Sequence, residues 1–280
     1  MRLLRVGPRG SEKPAALDSN RKIRDLSSII NDVDGVALAP DSLAILAATD
    51  LTSLPELDAK SRIGACVAKP GKVICIGLNY SDHAAEAGMD LPTEPVVFMK
   101  ATSAVCGPND SIEIPRTSEK CDWEVELGVV IGSRAKYISE DEVDSVIAGY
   151  CTGNDLSERA FQLERLGTWD KGKSHDSFAP LGPYLVTKDE IPDPQNLKLW
   201  TRINGETLQN GNTSTMVFNV RQIVAYLSNF MTLEPGDVIL TGTPPGVGMG
   251  QKPPSYLKAG DRVEIGIEGL GEQDQTCIQA

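Results

Sequence analysis

Short apolar runs rich in β-branched residues alternate with Gly/Pro turns from about residue 72 to the end of the chain. Such runs, bounded by turn residues, are typical of strands. Asn204-Gly205 stands between two of these runs and is a strong signal for a hairpin turn. The pattern predicts strands over residues 73–76, 96–99, 123–131, 184–186, 197–203, 238–241 and 262–267.

Helical patterns are fewer than strand patterns in this part of the chain. They predict helices over residues 81–88, 139–148 and 219–231. Ser139 and Glu142 open the second of these with the spacing of a capping box. Because the strands are irregularly spaced and helices are inserted between them, we predict an α+β, mainly β fold. A mixed β-roll or sandwich fits this pattern, whereas a doubly wound α/β sheet does not.

The first part of the chain differs in texture from the rest. Residues 1–6 read as a strand, a Gly/Pro/Ser-rich turn follows, and helix-like apolar patches lie between residues 27 and 57. We therefore predict a small N-terminal domain of residues 1–68 and a larger domain of residues 69–280.

Two carboxylates interrupt the apolar run of residues 123–131. Alternate residues of a strand share a face, so Glu124 and Glu126 are expected to point the same way, roughly 6.5 Å apart along the strand. Two adjacent anions repel each other unless a positive charge lies between them, and a divalent metal ion commonly supplies it. A solvent-facing strand surface is the alternative explanation of this short pattern.

A third acidic residue, Asp155, follows a turn of small residues at 153–154. It is either a metal ligand or the N-cap of a helix that begins after it. If a helix begins there, Arg159 and Gln162 lie on the same face as Asp155, because their spacing is i, i+4, i+7. An Asp–Arg pair on the protein surface is the plainer interpretation.

His83 and Glu86 are separated by about one turn of the helix predicted over residues 81–88. A carboxylate at that distance can orient an imidazole, and an oriented imidazole acts as a general base near neutral pH. A structural histidine is the alternative. Since the chain has only 2 histidines, a polyhistidine metal site is excluded, and oxygen ligands favour Mg²⁺, Mn²⁺ or Ca²⁺ over Zn²⁺.

Two further segments carry candidate polar side chains. Lys173 precedes an apolar stretch and could point into a cleft, where its charge would neutralise a substrate carboxylate or an enolate. Thr243 lies in a loop rigidified by glycine and proline, which could present its hydroxyl and backbone N–H groups to an anion. A surface lysine and a plain tight turn are the respective alternatives.

Composition excludes several classes of protein. The net charge of −12, from 39 acidic and 27 basic residues, argues against nucleic-acid and anionic-membrane surfaces. No segment has the pattern of a signal peptide or the length of a bilayer span. The 6 cysteines show no C-x-x-C spacing, so we expect buried, reduced thiols in a cytoplasmic protein.

Six motifs in a fixed order resemble those of the fumarylacetoacetate hydrolase family, over about residues 70–280. They are GLNYSDHAAE, FMKATSAVCGP, DWEVELGVVIG, GNDLSERAFQ, KSHDSFAPLGP and LTGTPPGVG. Within the family they are most similar to hydrolases of 2,4-diketo-3-deoxy-L-fuconate and L-rhamnonate. The resemblance implies a mixed β-roll, usually dimeric, with the larger domain as the catalytic one.

The resemblance also implies roles for particular residues. Glu124, Glu126 and Asp155 would bind one Mg²⁺ or Mn²⁺ ion, and His83 with Glu86 would form the catalytic dyad that activates water. Lys173 would assist catalysis. The substrate contacts would be Arg159, Gln162 and Thr243, with Lys100 as a further candidate.

The implied activity is the hydrolysis of a C–C bond in a 2,4-diketo acid, which gives pyruvate and a second acid. We expect a cytoplasmic homodimer that acts on a small 2-oxo acid and binds neither nucleic acid nor membrane. Oxaloacetate decarboxylation or tautomerisation at the same site is one alternative. A non-catalytic, metal-binding β module is another.

Overall fold

Two β-sheets form most of the computed structural model, which describes residues 1–82 and 91–280. The strands are Arg2–Val6 (β1), Lys13–Leu17 (β2), Ile23–Asp25 (β3), Val73–Gly77 (β4), Val96–Lys100 (β5), Val105–Cys106 (β6), Ile112–Ile114 (β7), Cys121–Asp122 (β8), Val125–Ile131 (β9), Ile147–Asn154 (β10), Ser157–Glu158 (β11), Ala179–Pro180 (β12), Leu185–Thr187 (β13), Lys198–Ile203 (β14), Glu206–Asn212 (β15), Val238–Leu240 (β16), Arg262–Ile267 (β17) and Gly271–Gln279 (β18). The α-helices of the described residues are Pro40–Ala48 (α1), Val143–Val146 (α2), Arg159–Leu163 (α3), Asp170–Lys173 (α4) and Val220–Ser228 (α5). Short 3₁₀ turns lie at Leu51–Ser53, Thr102–Ala104, Glu140–Glu142, Lys188–Glu190, Thr213–Thr215 and Gly248–Gly250.

The larger sheet has nine strands in the order β3-β2-β1-β13-β10-β9-β16-β4-β5. Most neighbours are antiparallel, but β16 pairs with β4 in parallel, so the sheet is mixed. Its central strands β9 and β10 are buried along their whole length. A strand that is covered on both faces needs an almost continuous apolar run, and this is the pattern that residues 125–131 show.

The second sheet has five strands in the order β15-β14-β17-β18-β7 and packs against β9 and β10. Leu127 and Val129 of β9 lie in one hydrophobic core with Leu199 and Ile265 of the second sheet. Asn204 and Gly205 form the predicted hairpin turn with φ of 52° and 85°, which matches the left-handed backbone of a type I′ turn. These layers confirm the prediction of a mainly β, mixed architecture.

The N-terminal strands continue the larger sheet. β1 pairs with β13, and side chains of the first 68 residues, such as Leu26 and Leu38, pack against Val130 and Leu240 on the other face of the sheet. The division into domains of residues 1–68 and 69–280 stays a prediction, and the sheet crosses its boundary.

Two predicted helical regions are wrong in extent. Helix α2 ends at Val146, and residues 147–148 already belong to β10, because pairing with β9 and β13 outweighs the local helical pattern. Between residues 27 and 57 only α1 is an α-helix. The turn before it is stabilised by the Asp34 carboxylate, which accepts hydrogen bonds from the N–H groups of Val36 and Ala37.

Other local predictions can be compared directly. The Glu142 carboxylate accepts hydrogen bonds from the N–H and hydroxyl of Ser139, which confirms the capping box. The helix predicted over residues 219–231 begins with Asn219 as its N-cap and ends at Ser228. The helix predicted over residues 81–88 lies mostly outside the described residues.

All six cysteines fall within the described ranges, and each is a buried, free thiol, as predicted. Burial raises the pKa of Cys66, Cys75 and Cys121 well above the ordinary thiol value, so these thiols stay protonated and unreactive. Among the described residues, no helix has the length and apolar character needed to cross a bilayer.

Candidate active site

The three predicted metal ligands are presented by the neighbouring ends of β9 and β10. Val125 pairs with Asn154, so Glu124, just before β9, lies beside Asp155, just after β10. Two hydrogen bonds hold this corner: the Asp155 N–H donates to the Glu124 carbonyl (2.9 Å), and the Glu124 N–H donates to Asn154 Oδ1 (3.0 Å). The prediction of an unbroken strand over 123–131 is therefore wrong at Trp123 and Glu124, which lie between β8 and β9.

The carboxylates of Glu124, Glu126 and Asp155 nevertheless form one cluster, with an oxygen of each within 4.8 Å of the others. All three are buried, with 6%, 2% and 0% of their surface exposed, so the solvent-facing alternative is wrong. Asp155 is not a helix N-cap either. Helix α3 begins four residues later, and Glu158 caps it by accepting the Phe161 N–H at 2.6 Å.

Two cations neutralise much of this negative charge. Lys173 Nζ lies 2.8 Å from Glu124 Oε2 and 2.7 Å from Asp155 Oδ2. Lys100 contacts the other oxygen of Asp155 and donates to the Leu156 carbonyl at 2.9 Å. Since both lysines are buried, these charge pairs are strong, and removal of one lysine would leave Asp155 with one cationic partner in place of two.

Arg159 is the third cation of the cluster. Its Nη2 lies 2.6 Å from Glu124 Oε1, and its Nε lies 2.8 Å from Asp122 Oδ2. Its Nη1 donates to Gln162 Oε1 at 3.1 Å, which confirms that Arg159 and Gln162 share a helix face. Three of the five guanidinium N–H groups therefore serve as internal contacts, and two remain.

The surroundings of Glu124 and Glu126 shift the pKa values of the two carboxyl groups in opposite directions. Burial opposes ionisation of Glu124, but the charges of Lys173 and Arg159 outweigh it and lower the pKa of this carboxyl below its usual range. Burial raises the pKa of Glu126 well above the ordinary value, and the charges of Asp155 and Glu124 raise it further. Within the described residues, Glu126 pairs with no side-chain cation and accepts one hydrogen bond, from the Gly242 N–H (2.8 Å).

This cluster fits a hard divalent cation. Its oxygen donors are the ligands that Mg²⁺ and Mn²⁺ prefer, and its geometry brings one oxygen from each of three carboxylates together. A cation beside Glu126 would also stabilise the ionised form of this carboxylate, which burial and the charges of Asp155 and Glu124 disfavour. Glu124, Glu126 and Asp155 are therefore the residues that could hold the ion.

A cavity of about 170 Å³ opens beside the cluster. Its polar and charged lining residues are Glu124, Glu126, Arg159, Gln162, Lys173 and Thr243. Its apolar lining residues, called the apolar wall below, are Ile76, Leu78, Phe98, Leu163, Trp169 and Met249. The polar lining contains six of the ten site residues predicted from sequence.

The remaining predicted residues are distributed differently. Asp155 is fully buried beneath the cavity wall, and Lys100 contacts it there. Among the described residues that line the cavity, Lys100 is absent, so its contact with a substrate stays a prediction. His83 and Glu86 lie outside the described residues, and the catalytic dyad also stays a prediction.

Thr243 is fixed in place by the hairpin of β14 and β15. Its hydroxyl donates to the Val125 carbonyl at 2.9 Å and accepts from Gln209 Nε2 at 2.8 Å. Gln209 in turn accepts the Val125 N–H at 3.1 Å, which ties the start of β9 to the loop. Thr243 and Gln209 thus stabilise the backbone that carries the two glutamates.

Sequence reasoning missed Asp122. This buried carboxylate binds Arg159 and accepts the backbone N–H groups of Gly248 (2.6 Å) and Met249 (3.0 Å). It thereby links the guanidinium to the cavity loop. The sequence did contain a signal for Asp122, because it is a charged residue at the start of an otherwise apolar run. A charge that is buried in such a run requires a partner.

The second histidine, His175, has a different environment. Its ring lies 5.5 Å from that of Phe161 and 5.4 Å from that of Phe178, and burial lowers its pKa. It is therefore neutral near physiological pH and packs as part of an aromatic group.

A family model described as fumarylacetoacetate (FAA) hydrolase C-terminal matches residues 72–278. The chain belongs to the fumarylacetoacetate hydrolase family. A Burkholderia ambifaria protein named "Putative hydrolase" is 61% identical over 281 residues, with 100% of each chain covered. The resemblance seen in the sequence motifs is thus confirmed at the level of the family.

Solved structures of fumarylacetoacetate hydrolase family proteins agree with the fold. One is a fumarylacetoacetate hydrolase from Exiguobacterium antarcticum, with 33% identity, 100% of each chain covered and a TM-score of 0.86. Another is a 2-hydroxyhepta-2,4-diene-1,7-dioate isomerase from Mycobacterium marinum, with 32% identity, 100% of this chain and 98% of that chain covered and a TM-score of 0.79. These relatives support an enzyme of the hydrolase or isomerase type.

Proposed function

We propose that the protein hydrolyses a C–C bond of a 2,4-diketo acid, namely the bond between the 4-carbonyl carbon and the neighbouring CH₂ group. In the balanced reaction, R–CO–CH₂–CO–COO⁻ and water give R–COOH and pyruvate. The water oxygen bonds to the distal carbonyl carbon, and the bond from that carbon to the CH₂ group breaks. The electron pair of the broken bond stays on the pyruvate half as an enolate, which then takes up a proton.

The observation that carries the proposal is the buried cluster of Glu124, Glu126 and Asp155 beside a cavity. These residues would hold one Mg²⁺ or Mn²⁺ ion, which as a Lewis acid polarises carbonyl oxygens and stabilises developing negative charge by several kcal/mol. A 2-oxo acid would fit the cavity with its carboxylate and keto oxygens towards the ion and the neighbouring cations Lys173 and Arg159.

Lys173 is suited to stabilise the enolate. Burial disfavours its charge, but the carboxylates of Asp155 and Glu124 outweigh this effect and raise the pKa of Lys173 above its ordinary value. The side chain therefore remains an ammonium group and cannot act as a general base at neutral pH. A fixed positive charge that faces the cavity lowers the energy of an anion formed there.

Arg159 and Gln162 are suited to bind the substrate carboxylate. Both line the cavity, and Arg159 is held by Asp122 and Glu124, so its remaining N–H groups have fixed directions. The Gln162 carbonyl oxygen accepts from Arg159, which leaves its NH₂ group for a ligand. Water activation is assigned to His83, oriented by Glu86, on the family resemblance.

Release of pyruvate from a panel of acylpyruvates and diketo sugar acids tests the proposal. We expect turnover with at least one member, loss of turnover in EDTA and recovery on addition of Mg²⁺ or Mn²⁺. Full activity in the presence of EDTA would contradict the role assigned to the carboxylate cluster.

A second candidate reaction is tautomerisation of a 2-oxo acid, which the similarity to the Mycobacterium marinum isomerase favours. Decarboxylation of oxaloacetate at the same site is a further alternative. Neither reaction needs a water nucleophile. The variant His83→Ala is therefore expected to lose roughly 10²–10⁴-fold in kcat for hydrolysis, while retaining metal affinity and most decarboxylase activity. Equal losses in both activities, measured side by side, would remove His83 from the water-activating role.

The family resemblance also supports a cytoplasmic homodimer. Light scattering on the purified protein should then give a mass near twice the chain mass of 30.0 kDa. A mass of one chain across the micromolar range would contradict the dimer.

A further inference from the structure

Two aromatic rings of the apolar wall lie close to the charged cluster. The Phe98 ring centroid lies 4.9 Å from Lys173 Nζ, and the Trp169 ring lies 5.1 Å beyond it in an edge-on contact. Trp169 packs over the backbone of Gly77, where a Cβ atom would come within 2.7 Å of the indole. The cavity therefore has an aromatic surface beside Lys173, within reach of a substrate held by the charged cluster.

Two other apolar side chains of the cavity lining reach the solvent. Leu163 and Met249 line the cavity and expose 52% and 37% of their surface. Exposed large apolar side chains at a cavity mouth are typical of a surface that an apolar ligand covers.

The described lining leaves no cation for a second substrate carboxylate. Within residues 1–82 and 91–280, the lysine and arginine that line the cavity are Lys173 and Arg159, and both already pair with carboxylates of the cluster. In the proposed reaction the N–H groups that Arg159 keeps free are taken by the carboxylate of the 2-oxo acid. Apart from the Trp169 indole N–H, the described side chains of the apolar wall offer no hydrogen-bonding group. The sequence of residues 83–90 contains no lysine or arginine.

We infer that the acyl group of the substrate is uncharged and apolar, that is, an alkyl or aryl group. The inference rests on the proposed hydrolysis of a 2,4-diketo acid and specifies the group R. Binding against Phe98 and Trp169 removes an apolar R from water, which is favourable. A terminal carboxylate or a row of hydroxyls would lose hydrogen bonds to water without finding a partner. The cavity thus favours acylpyruvates with hydrocarbon tails over diketo sugar acids and over diketo acids that carry a second carboxylate.

A matched pair of substrates tests this inference. Hexanoylpyruvate and the same compound with a carboxylate at the end of its chain differ in that group alone. We expect kcat/KM to be at least about tenfold higher for hexanoylpyruvate, with the difference mainly in KM, and to rise about fourfold for each methylene added within the cavity. A carboxylate-terminated or polyhydroxylated substrate that is used equally well or better would overturn the inference.

Two leucine variants test whether the cavity itself sets the preference. Leu163→Lys adds a cation at the cavity mouth and is expected to raise the relative kcat/KM for the carboxylate-terminated substrate about tenfold or more. Leu166→Lys is the control, because Leu166 is 95% exposed, three residues further along, and does not line the described cavity wall. An unchanged ratio in Leu163→Lys, or an equal change in both variants, would overturn the assignment of the apolar wall.

The two proposals fail in different ways. If no acylpyruvate and no diketo sugar acid of the panel releases pyruvate, the proposed hydrolysis is wrong. If both tails are accepted and the charged one is preferred, the hydrolysis stands and the inference about R is wrong.

Discussion

The variant Lys173→Met is expected to lose about 3–5 kcal/mol of the free energy of unfolding in the metal-free protein, because two buried charge-assisted hydrogen bonds, to Glu124 and Asp155, are removed. Glu124 then keeps Arg159, and Asp155 keeps Lys100, as the remaining cationic partner. In a chain of this length the melting temperature should fall by roughly 10 °C. Added Mg²⁺ should raise the melting temperature of the variant more than that of the parent, since the ion then meets carboxylates with less competing positive charge. Turnover should fall by about 10²–10³-fold, because a fixed cation beside the enolate is lost.

Lys171→Met is the matched control for this prediction. Lys171 lies on the same short helix, is exposed, and donates to the carbonyls of Arg165 and Leu166. Its replacement should change stability by less than about 1 kcal/mol and leave turnover close to that of the parent. Similar melting temperatures for the two variants would show that Lys173 is not the counter-charge of the buried cluster.

Glu126→Gln should abolish metal-dependent turnover while preserving the fold. The amide has the same shape as the carboxylate and can still accept the Gly242 N–H, but it cannot carry the negative charge that would bind the ion. We expect kcat/KM for pyruvate release to fall by about 10³-fold or more, since loss of the ion removes both substrate orientation and charge stabilisation.

The melting temperature separates this outcome from misfolding. In the metal-free state Glu126→Gln should be as stable as the parent or more so, because a buried carboxylate with a raised pKa is replaced by a neutral group. Glu206→Gln, an exposed position in the β14–β15 hairpin, is the control and should keep full turnover. Parental rates in Glu126→Gln would exclude Glu126 from the site.

Sequence reasoning found the strands whose own residues have a clear strand pattern. The runs in β4, β9 and β16 are apolar and β-branched, and all three are buried. β10 was missed because its sequence, IAGYCTGN, is small and partly polar. It becomes a strand through pairing with β9 and β13, and Gly149 permits this approach, since a Cβ there would lie 2.2 Å from the Val186 carbonyl oxygen.

β18 was missed for a related reason. Its residues are mostly polar, and Gln273 and Gln275 are nevertheless buried. The Gln273 amide donates to the carbonyls of Thr152, Pro180 and Gly182, so its burial depends on partners more than 90 residues away. No local pattern contains that information.

The metal ligands were predictable in part. The alternation of side chains along a strand placed Glu124 and Glu126 together, and this holds although Glu124 lies just outside β9. The sequence of residues 153–162 alone did not decide whether Asp155 is a helix N-cap or a metal ligand. That choice depends on the pairing of β9 with β10. The apolar wall was not predictable, since Phe98 and Trp169 meet only in the folded chain.

Titration of Mn²⁺ into the metal-free protein, followed by calorimetry, tests the central claim most directly. The structure predicts one ion per chain in the parent and an affinity at least about 100-fold lower in Glu126→Gln. Absence of binding in the parent, or equal affinities in the two proteins, would contradict a metal site formed by Glu124, Glu126 and Asp155.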